Sequence, residues 1–252
     1  MKKLKTNRIK QVVVAVAVCA ISATMGFVLG GSKTVGSQTN ERPGVIIKQR
    51  QKLPLEIITI KPDMITAEIP RIELIVANKG SQPIIAYAIR YDTVSKSSKA
   101  GGHILVNAPS MSQALYPGQE ATETVGGGVT YSDPISKIYV YVDYVLLADG
   151  SELGPDRSEA SEVLAGQRAG AKLLAGQIRN LLKKNDMASI MGLIDQEGSS
   201  LSPPPNASLR WIQGFRSGIG IIKDRLKQAY EKRGLGDLEI ELNKPFDAFE
   251  ER

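Results

Sequence analysis

The chain has 252 residues, with 32 Lys and Arg against 26 Asp and Glu, and its formal net charge is +6. Five of the basic residues fall in the first ten positions, so the rest of the chain carries 27 basic against 26 acidic side chains. The basic balance therefore describes a leader and does not support a nucleic-acid-binding surface. One Cys excludes a disulfide framework within one chain, and one His excludes any site that needs two histidines from one chain.

An apolar segment follows the basic leader. It runs from Val12 to Gly31, reads VVVAVAVCAISATMGFVLGG, and contains no charged residue. A helix of this length spans about 30 Å, the thickness of the hydrocarbon core of a bilayer. Because positively charged flanks stay on the cytoplasmic side, the leader predicts an inside N-terminus and an exported remainder. We expect residues 1–31 to form a single-pass anchor in the cell membrane; the alternative is a signal peptide, with secretion after cleavage.

The next segment, residues 32–53, is rich in Ser, Thr, Gln, Asn, Gly and Lys, which predicts a flexible tether. From residue 54 to residue 155 apolar residues alternate with period two, and turn signals separate the runs. Short strands without a helical period between them predict an antiparallel β-sandwich. The clearest strand runs from Ser136 to Leu147, and we expect one apolar face made of Ile138, Val140, Val142, Tyr144 and Leu146.

Two motifs in this segment are typical of a known kind of module. The apolar strand Ile72 to Asn78 ends in Asn before the polar turn Lys79-Gly80, and Pro117-Gly118-Gln119 opens a later strand. In these features residues 55–155 resemble the immunoglobulin-like modules of uncharacterised bacterial envelope proteins. The resemblance implies a fold and brings no catalytic residues with it.

The apolar period changes to three and four after Asp156, which predicts a helical unit over residues 156–234. Asp156 and Glu159 have the spacing of a capping box, and the first helix is expected to reach about Lys184. A short helix follows around Met187 to Glu197. A long helix is expected to begin at Asn206 or Ser208 and to stop at Gly234.

The long helix carries a seam of apolar residues spaced three and four apart, namely Ile212, Phe215, Ile219, Ile222, Leu226 and Ala229. This seam predicts packing on the small residues of the first helix, as an antiparallel helical hairpin or within a three-helix unit. A different use of the same seam is self-association between chains. Residues 235–252 contain six acids and two bases and are predicted to be an acidic tail. The expected fold class is α+β, with an immunoglobulin-like sandwich between the membrane segment and the helices.

Tyrosines and basic residues supply the candidate interaction surface. Tyr139 and Tyr141 lie opposite the apolar face of their strand and could form a recognition surface. The favoured alternative is that the C-terminal helices cover this sheet face, because those helices need an apolar partner. The long helix carries Arg216, Lys223 and Lys227, which could contact an acidic partner or anionic lipid headgroups.

Chemical sites are poorly represented in the sequence. Asp149, Glu152 and Asp156 are the best calcium candidate, but a polar turn followed by a helix cap accounts for the same residues. His103 is expected on the less buried side of its strand, where it has no predicted catalytic partner. We therefore predict no catalytic residues and no cofactor.

The leading hypothesis is a membrane-anchored envelope protein with a non-enzymatic binding or assembly role. Its partner would be an unknown protein or another envelope component, and not a nucleic acid. The alternative is a carboxylate-dependent hydrolase or carbohydrate-active enzyme of the envelope, because such chemistry needs only two correctly spaced acids.

Overall fold

A computed structural model describes residues 44–48, 53–61, 71–107, 114–126, 135–196 and 201–244. All of them belong to one compact unit that covers residues 38–252. Within the described residues the fold is mixed α+β, with two sheets and four helices, which confirms the predicted fold class at this level. The predicted membrane segment lies outside these residues. Among the helices that are described, none combines the length and the apolar character needed to cross a bilayer.

The larger sheet has the strand order β1-β7-β4-β5. Its strands are β1 (Gly44–Ile47), β7 (Lys137–Leu147), β4 (Ile84–Val94) and β5 (Lys99–Asn107). β1 runs parallel to β7, whereas β4 is antiparallel to both β7 and β5. A two-residue strand, β8 (Glu152–Leu153), pairs with the end of β7.

The smaller sheet has the order β2-β3-β6 and is antiparallel throughout. It contains β2 (Leu55–Lys61), β3 (Arg71–Asn78) and β6 (Glu120–Gly126). The two sheets bury a common core, because alternate residues of each strand point to the same side. Core residues include Leu55, Ile72, Leu74 and Val76 of the smaller sheet and Ile89, Ile138, Val140 and Val145 of the larger one. Each buried aliphatic side chain stabilises the fold by roughly 1.5–3 kcal/mol relative to exposure.

A bulge in β7 changes the predicted face of this strand. Ala88 pairs with Tyr144 and the next residue, Ile89, pairs with Val142, so Asp143 is an extra residue in the ladder. The predicted apolar face is therefore right as far as Val142 and wrong beyond it. Tyr144 and Leu146 point away from the sandwich core, and they pack against the start of the first helix at Ala160 and Leu164.

The helical unit contains α1 (Ala160–Lys183), α2 (Met187–Asp195), α3 (Leu209–Arg233) and α4 (Leu235–Leu242). The predicted capping box is not formed. Asp156 accepts a hydrogen bond from Ala160 N at 2.7 Å, but Glu159 forms an ion pair with Arg210 at 3.2 Å. At α3 the alternative Ser208 is the cap, since its hydroxyl accepts from Trp211 N at 3.1 Å.

Helices α1 and α3 lie in direct backbone contact and run parallel. Of the two arrangements expected from the sequence, the antiparallel hairpin is therefore wrong, and α1 and α3 belong to a unit of more than two helices. A Cβ built on Gly214 would lie 2.0 Å from Val163 O, and one built on Gly218 would lie 2.0 Å from Gln167 O. From the first contact to the second, the residue numbers rise by four in both helices, so the two helices run in the same direction. The chain returns to the start of α3 through α2 and the proline-containing loop before Ser208.

Helix α4 occupies the beginning of the predicted acidic tail. Leu238 and Leu242 are buried in the helical core, so this stretch belongs to the helical unit. The side chain of Glu241 forms an ion pair with Arg225 at 2.7 Å and with Lys244 at 2.7 Å. Part of the basic charge of α3 is therefore neutralised by the acids that follow it in the sequence.

Candidate functional site

The outer face of the larger sheet is divided into two halves. At one end Ala86, Ala88, Tyr144 and Leu146 pack on α1. The other end carries polar and aromatic side chains and is not part of this contact. We call this half, on which the described part of α1 does not pack, the tyrosine face; its members are Lys48, Arg90, Asp92, His103, Tyr139 and Tyr141.

The register of three strands brings these side chains together. Arg90 on β4 is paired with His103 on β5 and with Tyr141 on β7. Two residues further along β4, Asp92 is paired with Tyr139. Since residues two apart on a strand share a face, all of these side chains lie on the side of the sheet away from the sandwich core.

Tyr141 is held by a hydrogen bond to a carboxylate. Its hydroxyl donates to Asp92 Oδ2 at 2.7 Å, and Arg90 donates to Asp92 Oδ1 at 3.2 Å. Burial and this hydrogen bond raise the pKa of Tyr141, so the hydroxyl remains a donor at neutral pH. The side chains of Arg90 and Asp92 are 32% and 39% exposed, so the ion pair itself adds little stability, about 0–1 kcal/mol. Its effect is to fix the orientation of the tyrosine.

Tyr139 lies under Lys48, the residue that directly follows the outer strand β1. The Nζ atom of Lys48 is 4.2 Å from the centroid of the Tyr139 ring, which is a cation–π distance. Lys48 is exposed and Tyr139 is half-buried. The tyrosine face therefore reaches β1, an outer strand of the larger sheet among the described residues.

A glycine makes room for the carboxylate of this face. A Cβ at Gly101 would lie 2.7 Å from Asp92 Oδ1 and 2.6 Å from Tyr91 O. Any larger residue would push the Asp92 side chain away from Tyr141. The glycine in β5 is thus explained by close packing on β4.

His103 lies half-buried on the same face, while Ile104 and Val106 pack on the sandwich core, as expected from the alternation. Burial lowers the pKa of His103, and the cations Arg210 and Arg90 lower it further. Asp143 and Asp156 act in the opposite direction but do not outweigh them. The imidazole is therefore neutral at pH 7.

The bulge residue Asp143 is buried and connects the sheet to α1. Its Oδ2 atom accepts hydrogen bonds from Ser158 N at 2.7 Å and from Ser158 Oγ at 2.6 Å. No atom of the described residues donates to Oδ1. The serine hydroxyl donates directly to the carboxylate and not to His103, so these three residues do not have the order of a catalytic triad. Sequence reasoning missed Asp143, although a lone acid between Val142 and Tyr144 was the available signal.

The three carboxylates of the calcium candidate have separate structural roles. Asp149 Oδ1 accepts from Ser151 N at 2.8 Å, and its Oδ2 accepts from Gln82 Nε2 at 2.8 Å. Asp156 caps α1, and Glu152 belongs to β8. In the part of the chain that the structure describes, no group of three His, Cys, Asp or Glu side chains is placed to hold a metal ion.

The basic residues singled out on α3 are partly used within the helical unit. Lys223 Nζ donates to Gln196 O at 2.8 Å, and Lys227 forms an ion pair with Asp195 at 2.9 Å. Both lysines therefore hold the end of α2 against α3. Arg216 is exposed on the same helix. The structure does not place these three residues on the tyrosine face.

Two grooves adjoin α4. The larger, about 340 Å³, lies between α3 and α4, and the smaller, about 130 Å³, lies between α1, α3 and α4. Both are lined by Glu241. Burial tends to raise the pKa of Glu241, but the hydrogen bonds from Lys244 and Arg225 outweigh it and lower the pKa. A general acid needs the opposite shift, so this carboxyl is poorly suited to that role.

Comparisons with known proteins give no functional assignment. No family model and no curated protein matches the chain. One solved structure, a hypothetical protein from Peptoclostridium difficile 630, aligns with 10% sequence identity and a TM-score of 0.28. The alignment covers 44% of this chain and 90% of that chain. At this TM-score the similarity carries no argument about fold or function.

Proposed function

We propose that this chain is an envelope protein with a non-enzymatic binding or assembly role, and that the tyrosine face receives its partner. The observation that carries the proposal is the division of the outer face of the larger sheet. Helix α1 covers only one half, although this same face continues with two tyrosines, an arginine and a histidine.

The chemistry of the face suits a protein partner. Tyr and Arg are enriched among the residues that dominate binding energy, because they offer a large contact area together with a polar end. Tyr141 and Arg90 share Asp92 as an acceptor, so their side chains are already oriented before a partner arrives. Pre-organised side chains lose less conformational entropy on binding.

The finer fold assignment is part of the same proposal, namely that the sandwich is an immunoglobulin-like module. Successive strands support it, because β2 and β3 lie in one sheet, β4 and β5 in the other, β6 in the first and β7 in the second. The two sequence motifs also meet. Asn78 O accepts from Gly118 N at 2.8 Å, and Asn78 N donates to Gln119 O at 3.0 Å.

The proposed location rests on the sequence. The basic leader and the apolar stretch from Val12 to Gly31 favour a single-pass membrane anchor with the remainder exported, and secretion after cleavage is the alternative. In either case the tyrosine face would be presented outside the cytoplasm.

Site-specific photocrosslinking of the full chain in the cells that make it tests the binding role. A photoreactive residue at Tyr139 should give an adduct of defined mass, whereas one at Thr124, an exposed residue on β6, should not. The Tyr139→Ala/Tyr141→Ala double variant should bind the identified partner at least about 10-fold more weakly, since a central tyrosine contributes more than about 1 kcal/mol.

Equal adducts from both positions would contradict the proposal. Enzymatic activity would also contradict it, namely turnover of an envelope substrate by the purified protein, if this turnover is lost in His103→Ala or Asp149→Ala. Unchanged thermal unfolding of the double variant is the control for folding.

A further inference from the structure

The four edges of the two sheets differ in how well they are protected against pairing with another strand. An edge strand exposes unpaired N–H and C=O groups, and proteins block such edges with charges, bulges or a covering element. Within the described residues the edges of the larger sheet are β5 on one side and β1 on the other, where the two-residue β8 pairs further along β7; those of the smaller sheet are β2 and β6.

Three of these edges carry such protection. On β6, Glu123 points inward and accepts a hydrogen bond from Tyr87. On β2 the register shifts between Ile57 and Thr59. The end of β5 is tied to α1, because Asn107 donates to Gln167.

The fourth edge, β1, has none of these features within its four residues. Its sequence is Gly-Val-Ile-Ile, its register with β7 is regular throughout, and the nearest proline and charge, Pro43 and Lys48, lie just before and just after it. Ile46 and Ile47 are 39% and 37% exposed. β-Branched residues such as these have a high preference for strand pairing.

The backbone of β1 has hydrogen-bonding groups directed away from the sheet. Gly44 N donates to Ser136 O at 3.1 Å and Lys48 N donates to Val140 O at 2.9 Å, so the even-numbered residues face β7. In a parallel ladder alternate residues face the neighbouring strand. The N–H and C=O groups of Val45 and Ile47 therefore point to the open side, where no described strand lies.

We propose that two copies of this chain associate through β1, antiparallel and centred on Ile46. In this register Val45 of each copy is opposite Ile47 of the other copy. The two pairs are related by symmetry, and each pair exchanges two backbone hydrogen bonds. The two Ile46 side chains meet at the two-fold axis. The larger sheets of the two copies become one continuous sheet.

A second copy fits this edge because the edge is self-complementary. Val45 and Ile47 direct their N–H and C=O groups outward, and in the dimer each is opposite the other. The side chains in these pairs are therefore β-branched on both strands. Lys48 comes opposite Gly44 of the other copy, so the two lysines do not face each other. A four-residue pairing is small compared with a standard interface, so we expect a weak dimer, with a Kd of about 10 µM or higher. This inference is independent of the proposed function.

Cysteine crosslinking of the full chain in mild detergent tests the register. In a Cys19→Ser background, Ile46→Cys should form a disulfide-linked dimer within minutes of mild oxidation, because residues at the axis of a non-hydrogen-bonded pair lie about 4.5 Å apart. Ile58→Cys, at the 40% exposed position on the bulged edge β2, is the matched control and should remain monomeric.

A second variant tests the backbone contact itself. Ile47→Pro removes an N–H group that points to the open side and leaves the bonds to β7 intact, so the fold should be kept. Sedimentation over a range of concentrations should show dimerisation of the wild type that is at least 10-fold weaker in this variant, with an unchanged circular dichroism spectrum. The proposal is overturned if the wild type stays monomeric, or if its dimer is insensitive to Ile47→Pro. It is also overturned if position 58 crosslinks as well as position 46, or if position 46 crosslinks only to other proteins.

Discussion

Tyr87 of the larger sheet donates a hydrogen bond of 2.5 Å to Glu123 of the smaller sheet, across the core of the sandwich. Tyr87 is fully buried, and Glu123 is half-buried on the inner side of the edge strand β6. Burial raises the pKa of Glu123 more than the hydrogen bond from Tyr87 lowers it. The carboxyl thus protects the edge strand at a cost in stability.

This contact predicts a pH-dependent difference between Glu123→Gln and the wild type. Because the native pKa is raised, the folded wild type binds more protons than the unfolded chain between the two pKa values. Its free energy of unfolding therefore falls as the pH rises through this window. Glu123→Gln lacks this titration, so its stability relative to the wild type should rise with pH above about 4.5 and then level off.

Tyr87→Phe should destabilise the protein by about 1–3 kcal/mol, since it leaves a half-buried carboxyl without its donor. Urea denaturation at several pH values measures both effects. Glu120→Gln, on the exposed side of the same strand, controls for the loss of one negative charge. Parallel pH profiles of Glu123→Gln and the wild type would refute the assignment.

The contact between α1 and α3 predicts opposite effects for two glycines of the same helix. A Cβ at Gly166 would lie 2.1 Å from Trp211 O, and backbone atoms cannot rotate away. Gly166→Ala should therefore destabilise the fold by about 1–3 kcal/mol or more through overpacking. At Gly176 a Cβ meets no described atom within 4 Å, so Gly176→Ala should stabilise the fold by about 0.5–1 kcal/mol. Calorimetry of both variants provides the comparison, and a neutral Gly166→Ala would show that the helices are not in backbone contact.

The buried side chain of Asn78 predicts a large loss of stability on removal of its donor. Its Nδ2 atom donates to Gln82 O and Leu115 O, both at 2.8 Å, and its Oδ1 atom accepts from Gly80 N at 2.9 Å. Asn78→Asp places an acceptor against two carbonyl oxygens, so it should cost at least about 3 kcal/mol, more than Asn78→Ala. Asn206→Asp, on an exposed turn, should change the unfolding midpoint little. A smaller loss for Asn78→Asp than for Asn78→Ala would argue against the donor role.

The strands could be predicted from period-two alternation, but the bulge in β7 could not. One extra residue leaves the local alternation around Val142 and Tyr144 unchanged in the sequence, and only the pairing with Ala88 and Ile89 shows it. The side of the sheet on which Tyr144 lies is decided by that pairing. The local alternation therefore predicts that the strand exists, but the pairing with β4 decides which of its side chains face the core.

The helices show a similar limit. Their caps at Ser208 and Gly234 follow from local preferences and were predictable. The relative direction of α1 and α3 depends on how the intervening chain returns, which periodicity does not encode. Gly214 and Gly218, four residues apart, were the available sign that α3 itself offers a smooth surface for close contact.

Only some residues of the tyrosine face could be predicted from the sequence. Tyr139 and Tyr141 were predictable from alternation, whereas Asp92, the acceptor for Tyr141, is 49 positions away in the chain. Contacts over such separations come from strand order. The spacing of Arg90 and Asp92, two residues apart on one strand, indicated a shared face but not the partner.

Packing of Tyr144 and Leu146 on Ala160 and Leu164 means that the strand-rich and helix-rich segments are not interchangeable modules. A fragment ending before Ala160 would expose an apolar sheet surface, and the helices alone would lose the support of the sheet at the start of α1. Deletion, fusion or recombination between residues 154 and 160 would therefore break a shared core. Either segment can be exchanged in evolution only together with the matching surface of the other.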